Sequence, residues 1–171
     1  MHAKYLAAMI FVTTITASAA TNEIPNPLID YDAFRSQVAD VGRLRETRRV
    51  TEDAFIQMAS DPGTVVLDAR SRDKYGKLHV KGAKHLSFPD ITAEELARII
   101  PAKSTRILIY CNNNFLNEPD AFPSKAPSAS LNIHTMNALY SYGYANVYEL
   151  GPLIDINKAK LKFEGSQKTS K

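Results

Sequence analysis

The only cysteine of the chain, Cys111, occupies a position at which a thiol could do chemistry. It follows the apolar run Arg106-Ile-Leu-Ile-Tyr110 and precedes three asparagines. Such a run predicts a short buried strand, and open α/β sheets keep their active sites beyond the carboxyl ends of the strands. A thiolate at that place is a nucleophile if its surroundings stabilise the negative charge. The alternative is a small buried core residue without a chemical role.

The residues after the cysteine suit an anion. Asparagine tolerates left-handed backbone better than other residues with a side chain, so Asn112, Asn113 and Asn114 are predicted to turn backbone N–H groups inward as an anion nest. A helix predicted to begin near Ser128 would add the positive end of its dipole. A simple turn is an equal alternative for the three asparagines.

The elements that position Cys111 alternate between strand-like and helix-like patterns. Thr51 and Thr92 each carry the features of a helix N-cap. The predicted helices cover residues 31–41, 52–59, 93–100 and 128–142, and the predicted strands cover residues 64–67, 83–87, 106–110 and 146–150. Strands separated by helices predict parallel pairing, because the helices supply the crossovers that parallel strands need. The predicted fold class is α/β.

Several spaced motifs occur in a recognisable order. They are Leu67-Asp-Ala-Arg70, Tyr75, His79-Val-Lys-Gly-Ala83, Ile107-Leu-Ile-Tyr-Cys111, Tyr142-Gly-Tyr144 and Val147-Tyr-Glu-Leu-Gly151. Together they resemble the signature of a rhodanese-homology domain, over most of residues 49–165. The resemblance implies a rhodanese-like parallel sheet flanked by helices. Because one fold hosts several functions, the family also includes phosphatases and inactive modules.

The resemblance also implies roles for individual residues. Cys111 matches the sulfur-carrying nucleophile of the family. Asp68 and Arg70 match an acid and a base that support the architecture of the active site, and His79 falls in a stretch with a structural role. The implied activity is that of a sulfurtransferase or persulfide carrier without a cofactor. A small sulfur donor and a thiol or cyanide acceptor would be its partners, with a protein as a further possible partner.

The segment after Cys111 departs from the family pattern. Sixteen residues, 112–127, separate it from the predicted helix, where about six are usual in the family, and no arginine is among them. A loop of this length is typically functional or mobile. Its apolar residues, Phe115 and Phe122 among them, are predicted either to form a lid over the pocket or to pack as a small core under the loop. Lys125 is the candidate for binding an anionic donor.

Other kinds of chemistry find less support in the sequence. The histidines and Cys111 lack the tight spacing of metal ligands, so no metal is predicted. The sixth residue after Cys111 is Asn117 rather than the arginine that a phosphatase of this type requires. Two alternatives to the enzyme remain, a non-catalytic protein-binding module and a thiol redox protein in which Cys111 forms mixed disulfides or a sulfenic acid.

The charge and composition of the chain indicate where the protein is found and which partners it lacks. Residues 1–20 combine Lys4, an apolar run too short to span a bilayer comfortably, and small residues before Thr21, the pattern of a signal peptide. We therefore expect a periplasmic or secreted protein without membrane attachment after the signal is removed, and an uncleaved lipid-facing anchor is the alternative for this segment. The formal net charge of the whole chain is only +3, and the four arginines of residues 43–49 are interpreted as a solvated face, so no nucleic-acid partner is predicted. The predicted organisation is a signal peptide over residues 1–20, a leader and helix over 21–48, a rhodanese-like domain over 49–165 and a polar tail over 166–171.

Overall fold

The computed structural model of the protein describes Ile24 and residues 26–167. The predicted signal peptide lies outside the described residues, as do residues 168–171 of the predicted tail. The chain divides into two units, of which the first ends at Asp30. The described part of the first unit contains a turn in which Asn26 Oδ1 accepts a hydrogen bond from the backbone N–H of Leu28 at 3.0 Å. None of the helices formed by the described residues has the length and apolar character needed to cross a bilayer.

The second unit alternates helices and strands. Its helices are α1 (Tyr31–Arg45), α2 (Glu52–Ala59), α3 (Arg72–Lys77), α4 (Ala93–Ile99) and α5 (Leu131–Ser141). Its strands are β1 (Arg49–Val50), β2 (Thr64–Asp68), β3 (His79–Val80), β4 (Lys84–His85), β5 (Arg106–Tyr110), β6 (Phe115–Leu116), β7 (Val147–Leu150), β8 (Ile154–Asp155) and β9 (Phe163–Glu164). Short 3-10 turns cover Phe88–Asp90, Asn112–Asn114, Pro127–Ala129 and Ile156–Lys158.

Five strands form the central sheet in the order β1-β7-β5-β2-β4. All of its neighbouring pairs are parallel, and β5 lies in the middle. Ile109 of β5 lies opposite Leu67 of β2, and Ile107 of β5 lies opposite Val147 of β7. The predicted α/β fold with a parallel sheet flanked by helices is therefore confirmed. Because β5 is central, the residue that follows it lies at the middle of the carboxyl edge of the sheet.

The two faces of the sheet bury two apolar clusters. On one face, Phe55 of α2 packs with Leu108 and Tyr110 of β5. On the other face, Leu96 of α4 and Met136 of α5 pack against the opposite side of β5. Val41 of α1 belongs to this second cluster. Because successive strand residues point to opposite faces, β5 is buried on both sides, which explains its unbroken apolar sequence.

Local signals explain where the predicted helices begin. The hydroxyl of Thr51 accepts a hydrogen bond from the N–H of Ala54, and that of Thr92 accepts one from Glu95, so both are N-caps as expected. The last long helix begins at Leu131 rather than at Ser128, because Pro127–Ala129 forms a separate 3-10 turn. The predicted sixteen-residue loop also contains structure, namely the turn Asn112–Asn114 and the strand β6, which pairs with β8.

The arginines of residues 43–49 are not simply a solvated face. Arg45 Nη2 lies 2.6 Å from Glu149 Oε1, and Arg49 Nε lies 3.0 Å from the same oxygen. Glu149 is buried in β7. Two of the four arginines thus neutralise a carboxylate inside the protein, and they link α1 and the edge strand β1 to β7. Gln37 adds a bond from its side-chain amide to the carbonyl oxygen of Asn137 in α5, at 2.9 Å.

Candidate active site

Cys111 directly follows β5 at the carboxyl edge of the sheet, as the sequence predicts. Only 1 % of its surface is exposed, and its thiol is free of any disulfide. The residue starts the 3-10 turn Asn112–Asn114, so the chain bends immediately after the sulfur-bearing residue. The sulfur is therefore held at the end of a rigid strand and shielded from solvent.

The three asparagines form a turn rather than a left-handed nest. Among the described residues other than glycine, only Asn117 has a positive φ, of 67°, so the left-handed backbone predicted for residues 112–114 is wrong. Their side chains instead bind backbone groups: Asn114 Oδ1 accepts from the N–H of Cys111 at 2.8 Å, and Asn114 Nδ2 donates to the carbonyl oxygen of Leu150 at 2.7 Å. Asn114 thus fixes the backbone of the cysteine to the end of β7.

Asn113 and Asn112 differ in their environments. Asn113 exchanges two hydrogen bonds with the backbone of Lys125, at 2.8 and 3.0 Å, and so closes the segment between them into a loop with a fixed base. Asn112 is buried, and its Oδ1 has no hydrogen-bond partner among the described residues. A buried amide oxygen without a partner is uncommon in a native protein. Asn112 is thus the one of the three that retains an unused acceptor beside Cys111.

Ser130, not Ser128, is the serine at the thiol. Its Oγ lies 3.4 Å from Cys111 Sγ, whereas Ser128 is an exposed residue of the 3-10 turn Pro127–Ala129. Ser130 is the N-cap of α5, so the start of this helix lies beside the sulfur. A helix N-terminus therefore lies near the thiol, as predicted. The residue in contact with the thiol is Ser130, two positions after the predicted Ser128. No local sequence signal points to Ser130, because its contact with Cys111 spans a long segment of chain.

The segment between the asparagines and α5 is part of the core. Phe115, Ala121 and Phe122 are buried and belong to the apolar cluster on the α2 side of the sheet. The rings of Phe115 and Phe122 are 4.5 Å apart, and that of Phe163 in β9 is 5.3 Å from Phe115. The lid interpretation is wrong for these side chains, because they already bury their apolar surface beneath the segment.

Asp68 and Arg70 form a buried ion pair below this segment. Arg70 Nη2 lies 2.6 Å from Asp68 Oδ2, and the guanidinium also donates to the carbonyl oxygens of Leu78 at 2.7 Å and Ala121 at 2.9 Å. It lies over the ring of Phe122 as well, 4.2 Å from the ring centre. Every recorded contact of this pair is to protein groups other than the thiol, an arrangement that connects β2 with the segment after Cys111.

Tyr110 extends the same network to the residue before the cysteine. Its hydroxyl donates to Asp68 Oδ2 at 2.5 Å and accepts from the backbone N–H of Val80 at 3.0 Å. Burial, and secondarily the negative charge of Asp68, hold the pKa of the Tyr110 hydroxyl well above its usual value. Tyr110 is therefore a neutral donor at physiological pH, and it positions the end of β5.

The recorded contacts of His79 are with α3 and β9 rather than with the cysteine segment. Its Nδ1 is 2.7 Å from the carbonyl oxygen of Tyr75, its ring stacks on that of Tyr75, and its Nε2 is 3.3 Å from Glu164 Oε1. These contacts join α3 to β9. No group of three or more His, Cys, Asp or Glu side chains among the described residues is arranged to hold a metal ion.

A pocket of about 320 Å³ opens next to the cysteine segment. Asn112 and Leu131, the residues that follow Cys111 and Ser130 in the chain, line it together with Phe88. Its cationic lining residues are Arg70, Lys74 and Lys125. Lys125 is exposed, whereas Lys74 Nζ donates to the carbonyl oxygen of Asp120 at 2.9 Å. The pocket thus places positive charge beside the cysteine segment, which suits a small anion.

Comparison with known proteins agrees with this geometry. The family model described as "Rhodanese-like domain" matches residues 51–150, and the chain belongs to this family. A comparison with curated proteins finds no match.

The fold is shared with solved structures, two of which illustrate the likeness. One is the rhodanese-like domain of the Alr3790 protein from Anabaena sp., with 19 % identity and a TM-score of 0.53 over 72 % of this chain and 83 % of that one. The other is the BH2092 protein of Bacillus halodurans, with 18 % identity and a TM-score of 0.50 over 78 % and 88 %. The fold and the family support a sulfurtransferase-like or related role at the level of the superfamily.

Proposed function

We propose that the protein is a sulfurtransferase that carries sulfur as a persulfide on Cys111. The observation that carries the proposal is the position of the only thiol of the chain, at the tip of the central strand of a rhodanese-like fold and 3.4 Å from the N-cap hydroxyl of α5. A hydroxyl and a helix N-terminus both favour a negatively charged sulfur. The neighbouring pocket supplies cationic residues for an anionic sulfur donor.

The reaction takes place in two displacements, written here for thiosulfate and cyanide. In the first, the Cys111 thiolate attacks the outer sulfur of thiosulfate, the sulfur–sulfur bond of the donor breaks, and sulfite leaves with the electron pair. In the second, the carbon of cyanide attacks the outer sulfur of the persulfide, and the pair returns to Sγ as thiocyanate leaves. A thiolate acceptor can take the place of cyanide. Splitting one transfer into two steps is the advantage of covalent catalysis.

Mass spectrometry of the intact protein tests the proposal. Incubation with thiosulfate should add the mass of one sulfur atom, and cyanide should then remove it. The Cys111→Ser variant is the matched control and should gain nothing, because the chain has no other thiol. A parent protein that acquires no sulfur under these conditions contradicts the proposal.

A second candidate is a non-catalytic binding module, and the burial of Cys111 favours it. With 1 % of the residue exposed, a donor reaches the sulfur only if the surrounding segment moves. The same experiment distinguishes the two candidates, because a module with an inert thiol remains unmodified. A thiol redox protein would instead gain oxygen or form a mixed disulfide after oxidant treatment.

The proposal also covers the localisation of the protein. Residues 1–20 have the pattern of a signal peptide, so we place the protein in the periplasm or outside the cell. Sequencing of the protein recovered from its producing cell should find an N-terminus near Thr21. Recovery of the intact N-terminus in the cytoplasmic fraction would contradict export.

A further inference from the structure

We propose that Ser130 is a catalytic residue of this reaction, and that its hydroxyl stabilises the thiolate of Cys111 by a hydrogen bond. The inference rests on the proposed function, since it assigns the partner of the same reacting sulfur. It is carried by the distance of 3.4 Å between Ser130 Oγ and Cys111 Sγ. For a neutral thiol either atom could be the donor, but a thiolate has no proton, so the hydroxyl must then donate.

The second observation is how Ser130 behaves as a helix cap. An N-cap serine ordinarily accepts a hydrogen bond from a backbone N–H in the first turn of the helix. Thr51, Ser71 and Thr92 do so at the starts of α2, α3 and α4. Ser130 makes no such bond, although it holds the same position before α5. Its hydroxyl is therefore available to the sulfur rather than committed to the helix.

Two of the three cationic residues that line the pocket have other partners. The guanidinium of Arg70 donates to Asp68 and to the carbonyl oxygens of Leu78 and Ala121. The ammonium of Lys74 donates to the carbonyl oxygen of Asp120. The segment between Cys111 and α5 contains no arginine. Within the described residues, the recorded side-chain partner of Sγ is thus the hydroxyl of Ser130, beside the backbone N–H of Asn114 in the turn that follows the cysteine.

Ser130 would act in both halves of the reaction without losing its proton. Before the first displacement it stabilises the attacking thiolate. During the second displacement, the bond between Sγ and the outer sulfur breaks and the electron pair returns to Sγ, so negative charge develops where the hydroxyl points. With thiosulfate and cyanide no proton is transferred in either half. Ser130 is therefore a hydrogen-bond donor and not a general base.

Titration of the thiolate absorbance tests this role without requiring sulfur transfer. The chain has one cysteine, so the difference in ultraviolet absorbance between the protein and its Cys111→Ser variant reports Cys111 alone. In Ser130→Ala the midpoint of this titration should move upward by roughly one pH unit, and thiocyanate formation at neutral pH should fall about tenfold, because a hydrogen bond to a charged group is lost. Ser130→Thr keeps a hydroxyl and should titrate like the parent.

Ser128→Ala is the matched control, because Ser128 is an exposed serine of the preceding turn. It should leave both the titration and the rate unchanged. Equal titration midpoints for the parent and Ser130→Ala would overturn the inference, and so would equal shifts in Ser130→Ala and Ser130→Thr. Failure of the sulfur adduct to form in the parent would instead count against the proposed function, because the titration does not depend on turnover.

Discussion

Arg70 Nη1 donates a hydrogen bond of 2.9 Å to the carbonyl oxygen of Ala121, and this contact joins the residues just after β2 to the middle of the segment that follows Cys111. Both residues are buried. The same guanidinium pairs with Asp68 and covers the ring of Phe122. The long segment is therefore anchored from below by a charge in the protein interior, and it is not a free loop above the site.

Removing this anchor should destabilise the protein. Arg70→Met leaves Asp68 as a buried carboxylate without its cation and leaves the carbonyl oxygen of Ala121 without that donor. We expect a loss of about 3–5 kcal/mol in the free energy of unfolding. Denaturant titration measures it, with Arg72→Met as the control because Arg72 is exposed. Equal losses in the two variants would show that the buried pair contributes nothing specific.

The aromatic residues of the segment should contribute to stability. Phe122→Ala removes a ring that is 2 % exposed and packs against Phe115, so we expect a loss of about 3–5 kcal/mol in the free energy of unfolding. Leu116→Ala is the control: Leu116 is 43 % exposed, so this variant should lose far less stability.

Deletion of residues 115–125 should unfold the protein, because it removes these buried rings from the core. A deletion variant with an unchanged unfolding temperature would contradict the core packing.

Alanine substitution of an N-cap residue should cost less stability at Ser130 than at Thr51 or Thr92. Thr51→Ala and Thr92→Ala each remove a recorded hydrogen bond to the first turn of a helix, and each should cost about 1 kcal/mol. Ser130→Ala removes no cap bond, so its loss should be smaller. Thermal and denaturant unfolding of the three variants give the comparison. A loss in Ser130→Ala as large as in the threonine variants would mean that its hydroxyl does cap α5.

Glu164 should make stability depend on pH in the acid range. A hydrogen bond from the backbone N–H of Gly82 comes first among the causes that lower its pKa below the usual 4.5, and the neighbouring His79 acts in the same direction. The unfolded state then binds the proton more readily, so this contribution is present above pH 4.5 and is lost as the pH falls through the lower pKa of the folded state.

The variant Glu164→Gln checks this dependence. Relative to the parent it should be destabilised at neutral pH, and the difference in the free energy of unfolding should shrink in acid. The control is Glu46→Gln, an exposed glutamate whose side chain has no recorded partner among the described residues. A difference between Glu164→Gln and the parent that stays constant from neutral pH into acid would rule out the charge as its origin.

Lys125 should affect donor binding more than turnover. It is exposed and lines the pocket beside Asn112, so Lys125→Ala should raise the KM for thiosulfate about two- to fivefold and leave kcat nearly unchanged. Added salt should reduce the difference, because exposed charges are screened. Lys84→Ala, which removes an exposed lysine of β4 that does not line this pocket, serves as the control. An equal effect in Lys84→Ala would point to general charge rather than to a donor site.

The sheet and its main helices could be predicted because their signals are local. The apolar run of β5 and the capping threonines Thr51 and Thr92 each depend on neighbours within a few residues. Elements of two residues such as β6 and β8 carry no periodicity, so the segment after Cys111 looked unstructured. Its phenylalanines are recognisably apolar in the sequence, but whether they pack beneath the segment or over the pocket depends on contacts with distant residues such as Phe163.

The contacts that define the site are mostly remote in sequence. Cys111 was predicted at a strand tip from its own surroundings, whereas Ser130 reaches it from the start of the following helix. The asparagines were expected to bind an anion through their backbone, yet Asn114 uses its side chain to hold the backbone of Cys111 and Leu150. Long-range pairings of this kind leave no spacing pattern that a single sequence can reveal.

The pairing of Glu149 with Arg45 and Arg49 has a consequence for how the protein can be divided. Both arginines precede residue 51, where the family match begins, while Glu149 lies within it. A fragment trimmed to the matched region would keep a buried carboxylate and discard both of its cations, together with the Gln37 contact to α5. A piece meant to fold on its own, or to be transplanted as a module into another protein, should therefore reach back to Tyr31 at the start of α1, so that these contacts are kept.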